Sequence, residues 1–299
     1  MTTHALDIAS LLHAMRELAE KVGDNADWHS VNADTGYVIE MLRTYGQVIA
    51  GSQSIKALAS ADWEALNRFL VSNNFRPAIK QFDPGEGIGV VSILDKLLKW
   101  KSGPARKTTI STIAGSKPGF ILPSSDVAVY RATGFLGFLI RIPTRSADTL
   151  WIYLPDKNEA YISVLDRLHL VELTFALSAA DHFAERGKFT GVTIPMLEFS
   201  LEPDISFMLG AELRSDSEVL VITQAGQQFK LRMDETGARV KTESHLVTER
   251  GIVRSDKPLV VDRPFIGWFT EEGAGNLPMA SFFADFDSWK QPAGSLQDL

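Results

Sequence analysis

Two strand-like runs joined by a long polar stretch constrain the fold of this 299-residue chain more than any other feature. The first run, residues 229–233, leads into Asp234-Glu235-Thr236-Gly237, and the second, residues 259–261, leads into Asp262-Arg263-Pro264-Phe265. About twenty mostly polar residues lie between them, whereas irregular loops longer than about 12–15 residues are uncommon in compact domains unless they are functional or disordered. An apolar C-terminal stretch follows at once, so we predict a long loop that is held at both ends.

Helical patterns dominate before residue 100 and strand patterns dominate after it. Apolar residues recur at helical spacing in 5–22, 37–44 and 59–71, with Asp62 as the predicted N-cap of the last helix, and again in 158–170 and 172–183. This segregation predicts an α+β fold. Strands are predicted at 88–94, 108–113, 127–131, 136–142, 149–154, 192–199, 218–223, 264–270 and 277–286.

Composition excludes several classes of function. Thirty basic against 37 acidic residues give a net charge of −7 without a basic stripe, which argues against nucleic-acid binding. The absence of cysteine excludes disulfides and thiolate nucleophiles. No apolar run reaches the length of about 18 residues that a membrane span needs, and the first residues lack the pattern of a secretory signal. We expect a monomeric cytoplasmic protein; an extracellular location stays open if an upstream segment is removed.

Catalytic chemistry has little support in the sequence. The six histidines lie far apart, without the i, i+4 spacing of a helical zinc pair, and no G-x-S-x-G or serine–lysine motif is present. The glycine-rich Gly85-Glu86-Gly87-Ile88-Gly89 precedes a predicted strand instead of opening a helix, so it is not a phosphate loop. We therefore predict no enzyme, no catalytic residue, no metal site and no cofactor.

A series of short signatures in the right order, from about residue 45 to about residue 290, resembles the serpins. Serpins are protease inhibitors that trap their target by inserting a cleaved loop into a sheet. The two most specific signatures are Asp234-Glu235-Thr236-Gly237, similar to the family's hinge, and Asp262-Arg263-Pro264-Phe265, similar to its "ADRPF" strand. The weaker ones are residues 63–70, 91–100, 141–143, 149–155, 192–199 and 204–210.

The resemblance implies a single serpin-like domain over residues 1–299. Its parts would be a mixed main β-sheet backed by helices, a smaller C-terminal barrel-like sheet and an exposed reactive-centre loop at 237–258. The main sheet would receive strands 88–94 and 229–233, and the cleaved loop would enter between them. Residues 1–44 would form a divergent helical part, because the family's "FSPxSIxxAL" helix signature is absent. Gln227 stands where the family has a histidine ahead of the hinge.

The residues after the hinge alternate in a way that suits insertion into a sheet. Glu235 and Gly237 match the hinge itself. Successive strand residues point to opposite faces, so one face would receive small or β-branched side chains and the other solvent-compatible ones. The first set is Ala238, Val240, Thr242 and Ser244; the second is Arg239, Lys241, Glu243 and His245. The alternative is a polar linker whose alternation is accidental.

The position of a cleavage site follows from counting along the loop. Counting from the hinge places the bond near Gly251, counting back from the loop anchor Asp262-Arg263-Pro264-Phe265 places it near Val253, and Arg250 and Arg254 flank this window. A protease with an acidic specificity pocket cleaves after arginine. The predicted function is inhibition of a serine endopeptidase, with a trypsin-like protease as partner. The alternative is a non-inhibitory serpin-like binding scaffold.

Overall fold

The computed structural model describes residues 3–23, 25–83, 87–132, 137–156, 167–178, 183–186, 189–239, 257–275 and 277–299. The chain divides into two compact units, each built from segments that are distant in sequence. The larger unit comprises Met1–Leu6, Asp95–Leu201 and Phe229–Leu299, and the smaller unit comprises Asp7–Leu94 and Glu202–Gln228. None of the helices described has both the length and the apolar character needed to cross a bilayer.

The helices described are α1 Ile8–Val22, α2 Ala33–Ala50 and α3 Trp63–Ser72 in the smaller unit, and α4 Arg167–Ser178 in the larger unit. The three helices of the smaller unit begin where the sequence supplies capping side chains. Asp62 caps α3 as predicted, accepting a 2.8 Å hydrogen bond from the Glu64 amide. Asn32 and Thr35 form a reciprocal capping box, so α2 begins earlier than the predicted helix at 37–44.

Most of the strands lie in the larger unit. In chain order they are β1 His4–Asp7, β2 Asp27–His29, β3 Ile55–Ser60, β4 Gly89–Leu94, β5 Leu97–Lys99, β6 Arg106–Thr112, β7 Gly115–Pro123, β8 Ala128–Ala132, β9 Gly137–Pro143, β10 Thr149–Pro155, β11 Phe183–Arg186, β12 Gly191–Pro195, β13 Leu197–Leu201, β14 Glu212–Arg214, β15 Val219–Val221, β16 Phe229–Asp234, β17 Gly237–Arg239, β18 Leu259–Val260, β19 Phe265–Thr270 and β20 Ala280–Ala284.

These strands form several sheets. A seven-stranded sheet has the order β1-β20-β19-β10-β9-β8-β11, and two four-stranded sheets have the orders β18-β12-β7-β6 and β13-β16-β17-β5. In the smaller unit β15-β14-β2 form one sheet and β3-β4 another. The α+β class is confirmed. Among the described residues no sheet closes, so the C-terminal sheet expected to be barrel-like is open.

One hydrophobic cluster of the larger unit lies between α4 and the seven-stranded sheet. Strands β19 and β20 are buried along almost their whole length, which requires cover on both faces. Helix α4 supplies part of this cover. Its Leu170 and Leu177 pack in one cluster with Leu139, Tyr153, Ile266, Trp268 and Phe283. The helix predicted at 158–170 falls mostly outside the described residues, and the one predicted at 172–183 corresponds to the second half of α4.

Two strand predictions differ from the structure in an informative way. The run at 192–199 is interrupted at Met196, so that β12 pairs with β7 and β18 whereas β13 pairs with β16 in another sheet. The run at 88–94 is confirmed as β4, but β4 pairs with β3, and the separate strand β5 joins the sheet that contains β16. The chain leaves β4 at Asp95 and Lys96, and Lys96 is fully buried.

Candidate functional site

The hinge segment is a strand with a partner on each edge. On one side β17 pairs antiparallel with β16, placing Ala238 opposite Met233, and on the other it pairs antiparallel with β5, placing Ala238 opposite Leu98. The first three residues of the stretch predicted as loop, Gly237–Arg239, therefore lie within a sheet. Their neighbour on the second side is β5, not the predicted strand at 88–94. Val240, Thr242, Arg250, Gly251 and Arg254 lie outside the described residues.

The turn before β17 is closed by side chains of the predicted hinge signature. One carboxylate oxygen of Asp234 accepts hydrogen bonds from the Thr236 amide at 2.7 Å and the Thr236 hydroxyl at 2.6 Å. The carbonyl of Asp234 accepts a 2.9 Å hydrogen bond from the buried indole of Trp100. Glu235 accepts from the Ala105 amide through its carbonyl, at 2.6 Å, and its carboxylate lies 3.0 Å from the Lys107 ammonium. The turn is thus fixed against the segment that follows β5.

Close approach of β17 to β5 requires the hinge glycine. A Cβ atom added to Gly237 would lie 2.0 Å from the carbonyl oxygen of Leu98, a distance that no side chain can occupy. The next residue, Ala238, is fully buried. The predicted alternation assigns Ala238 to the face of small side chains.

The prediction for Arg239 is wrong. The alternation assigned it to a solvent-compatible face, yet only 7% of its surface is exposed. Its Nη1 donates a 2.8 Å hydrogen bond to the carbonyl of Leu296, and its Nη2 lies 3.6 Å from the Asp95 carboxylate. The reason is that a 3-10 turn, Leu296–Asp298, packs on β17 and covers this face of the sheet.

A row of charged residues crosses the same sheet beneath that turn. Glu198, Arg232 and Arg239 are in register on β13, β16 and β17. The Nε of Arg232 lies 2.8 Å from Glu198, and its Nη1 donates to the carbonyl of Ser295 at 3.2 Å. The second carboxylate oxygen of Glu198 accepts from the Ala293 amide at 3.3 Å. We call residues 293–299 the cover segment. Sequence reasoning missed this row, although Glu198 and Arg232 are conspicuous charges within apolar strands.

The far end of the long loop is also fixed. Strand β18 runs parallel to β12, with Leu259 opposite Val192, and the Val261 amide donates to the carbonyl of Thr193 at 2.9 Å. In the predicted anchor, Arg263 donates from Nε to the carbonyl of Pro155 at 2.6 Å and from Nη1 to Asp262 at 2.5 Å. Pro264 follows, and Phe265, fully buried, opens β19. The two ends of the loop are therefore held in different sheets of the larger unit.

A buried ionic cluster fixes the start of β5. The Lys96 ammonium, with no exposed surface, lies 2.6 Å from Glu271 and 3.4 Å from Asp148. Burial raises the pKa of the Asp148 carboxyl above its usual range, and the positive charge of Lys96 opposes that rise. A buried cation must be paired, so this cluster holds the chain in place where it enters β5.

Gln227, which lies two residues before β16, contacts the N-cap residue of α1 within the smaller unit. Its side-chain oxygen accepts from the Asp7 amide at 2.8 Å and its nitrogen donates to the Asp7 carbonyl at 2.7 Å. Asp7 caps α1 by accepting from the Ser10 amide at 2.9 Å. Burial raises the pKa of the Asp7 carboxyl to about 6, although hydrogen bonds from Ser10 act in the opposite direction. Gln227 thus stabilises the N-cap of α1 by two hydrogen bonds to the main chain of Asp7.

Two neighbouring glutamines use the same bidentate contact. Gln228 accepts from the Arg76 amide at 3.1 Å and donates to its carbonyl at 2.9 Å, and Gln224 makes the equivalent pair with Lys80, at 2.9 and 3.1 Å. The polar atoms of both side chains are therefore used in hydrogen bonds to the main chain.

Within the described parts of the chain, no group of three or more His, Asp or Glu side chains is placed to hold a metal ion.

Comparison with known proteins gives matches among solved structures. No family model and no curated protein sequence matched the chain. Serpin48 from the insect Tenebrio molitor, described as a highly specific serpin, aligns with a TM-score of 0.59 at 13% identity, over 95% of this chain and 92% of its own. The thermophilic serpin tengpin in its native state aligns with a TM-score of 0.55 at 14% identity, over 94% and 88%.

A binding protein has a similar structure. Thyroxine-binding globulin in complex with thyroxine aligns with a TM-score of 0.58 at 9% identity, over 97% of this chain and 94% of its own. At identities this low, the likeness in each case concerns the fold.

Proposed function

We propose, from the premise that this chain has the serpin fold, that it inhibits a serine protease by loop cleavage and insertion. Addition of a strand to a sheet is a general mode of peptide recognition, and serpin reactive-loop insertion is a known case of it. The observation that carries the proposal is the position of β17, paired on both edges between β16 and β5.

The pairing of β17 is compatible with growth of this strand by insertion of the loop. The strand follows β16 through a tight turn and runs antiparallel to both neighbours. Further loop residues added after Arg239 would extend the same strand. Val240 and Thr242 would then follow Ala238 onto the face where Ala238 is fully buried, and both are compact enough for it.

The two anchored ends explain why cleavage would be needed. The loop leaves the sheet of β17 and returns at β18 in the sheet of β12, so an intact loop must span both. Hydrolysis of one peptide bond near Arg250–Gly251 or Arg254 would free the hinge side to enter the sheet while Asp262 and Arg263 keep the other side in place. The arginines favour a protease with an acidic specificity pocket as the target.

One observation favours a second function, a non-inhibitory binding scaffold. The face on which Arg239 is buried is the face that Lys241, Glu243 and His245 would reach if the strand grew. Burying unpaired charges costs several kcal/mol, so insertion could stop at Arg239. Thyroxine-binding globulin shows that a chain of this fold can be a small-molecule binder.

A denaturing gel separates the two functions. Incubation with trypsin should give a band at the summed mass of protease and inhibitor that survives boiling, because the trapped protease stays covalently attached. Trypsin with its nucleophilic serine replaced by alanine is the matched control, since it binds the loop and forms no covalent bond. Complete cleavage of the loop by several trypsin-like proteases, with no such band, would exclude inhibition and leave the scaffold.

A further inference from the structure

We propose that the cover segment, residues 293–299, is a strap that locks the hinge strand β17 into its sheet. The locking contacts are the main-chain carbonyls of Ser295 and Leu296, bound by Arg232 and Arg239. These contacts do not depend on whether the chain is an inhibitor or a scaffold, and they can be tested without a protease.

The strap is attached at successive points along the charged row. Glu198 on β13 accepts from the Ala293 amide, Arg232 on β16 donates to the Ser295 carbonyl, and Arg239 on β17 donates to the Leu296 carbonyl. The order of these contacts along the cover segment matches the order of the strands across the sheet. The segment therefore crosses from the fixed strands onto the strand that follows the hinge.

Arg239 couples the strap to the hinge strand electrostatically. A guanidinium that is 7% exposed needs acceptors, because a buried charge without partners is strongly destabilising. Leu296 supplies a carbonyl at 2.8 Å, and Asp95 supplies a carboxylate at 3.6 Å. If β17 left the sheet, Arg239 would have to break both contacts. If the strap left, Arg239 would lose the hydrogen bond to the Leu296 carbonyl.

The strap has its own local support. Gly294 adopts a φ of +104°, a conformation that other residues rarely take, and this allows the chain to turn onto the sheet. The Gln297 amide then donates to the Ser295 hydroxyl at 3.1 Å, and the Leu296 side chain is buried, with 6% exposed. The strap is held by its main-chain carbonyls and by the side chain of Leu296. Its position on the sheet therefore does not depend on which side chains its exposed residues carry.

Hydrogen–deuterium exchange on two shortened chains tests the strap. A chain ending at Pro292 lacks all the strap contacts, and a chain ending at Asp298 keeps the 3-10 turn and the contacts to Arg232 and Arg239. We expect the first to accelerate amide exchange in peptides covering Gly237–Arg239 by at least about tenfold, since charge-assisted hydrogen bonds that oppose local opening are lost. Exchange in the second chain, and in peptides covering β10 in both, should match the full chain.

Unchanged exchange at Gly237–Arg239 in the chain ending at Pro292 would overturn the proposal, and so would an equal acceleration at β10. If that chain does not fold, Leu296→Ser in the full chain removes the apolar anchor alone and should accelerate exchange at β17 selectively. Addition of a synthetic peptide with the sequence of residues 293–299 should restore protection to the chain ending at Pro292. Failure of the peptide to restore any protection at millimolar concentration would also contradict a strap.

Discussion

Gly237 lies directly against the main chain of Leu98, so that a Cβ atom at position 237 would be 2.0 Å from the Leu98 carbonyl oxygen. The contact occurs where the chain leaves the hinge turn and enters the sheet between β16 and β5. The lack of a side chain at position 237 therefore allows β17 to pair with β5.

Gly237→Ala should separate β17 from β5. Overpacking of a well-packed site costs about 1–3 kcal/mol, and here the clash is with backbone, which cannot rotate away. We expect a loss of unfolding free energy of that size in urea titrations, together with faster amide exchange at Gly237–Arg239. Gly226→Ala is the matched control, because nothing lies within 4 Å of the added carbon; its unfolding free energy should change by less than about 0.5 kcal/mol. Equal stability of the two variants would show that β17 does not need the glycine.

Stability should depend on pH through Asp7. Its folded-state pKa of about 6 lies above the ordinary value of 3.8, so the folded protein binds the proton more tightly than the unfolded chain does. This contribution to stability is fully present below about pH 4 and is lost as the pH rises through about 6. From 1.36 kcal/mol per pKa unit, the full change is about 3 kcal/mol.

Asp7→Asn provides the control for that dependence, because asparagine can still accept from the Ser10 amide as an N-cap but does not titrate. Urea unfolding should show the wild type losing more stability than the variant between pH 5 and pH 7. Parallel pH profiles for the two proteins would show that Asp7 does not carry the dependence.

Val240→Glu should convert an inhibitor into a substrate. If the loop inserts, the new carboxylate would follow Ala238 onto the buried face without a partner, at a cost of several kcal/mol. We expect trypsin to cleave the variant cleanly, with little covalent complex, while Val240→Ala still forms it. Urea unfolding should give the uncut Glu variant the same stability as the wild type. Complex formation equal to that of the wild type would contradict insertion.

Trypsin should make its first cuts in the native protein within residues 248–255, after Arg250 or Arg254. Exposed loops are the preferred sites of proteolytic cleavage. The internal comparison is Arg239, a nearby arginine that is buried in the sheet and should be cut only later. Mass spectrometry of the earliest fragments distinguishes these sites. First cuts after Arg68 or Lys101 would contradict the assignment of the loop.

Local sequence signals were sufficient for the framework of the site. The apolar run before Asp234 and the run before Asp262 are β16 and β18, and the glycine of the hinge signature lies where only glycine fits. Asp62 was recognisable as an N-cap because an acidic side chain preceded an apolar helical stripe. In each case the determinant lies within a few residues of the feature it controls.

What the sequence did not reveal depends on distant residues. Alternation after Gly237 correctly separated Ala238 from Arg239, but it carried no information on the cover segment, more than fifty positions later, that buries Arg239. Strand β7 was missed because Pro118 and Gly119 usually interrupt strands. Gly119 is needed there, since a Cβ atom would lie 2.8 Å from the Ile194 carbonyl on the neighbouring strand.

The central claim is that the loop after Arg239 can complete a strand between β16 and β5. The most direct test of this claim is the heat stability of the cleaved protein. The protein should be cut once by trypsin within residues 248–255 and its Tm compared with that of the uncut protein by differential scanning calorimetry. Insertion adds a fully paired strand to the sheet, so we expect Tm to rise by well over the roughly 2–4 °C that each kcal/mol gives a domain of about 150–250 residues. A Tm that is unchanged or lower after this single cut would contradict insertion.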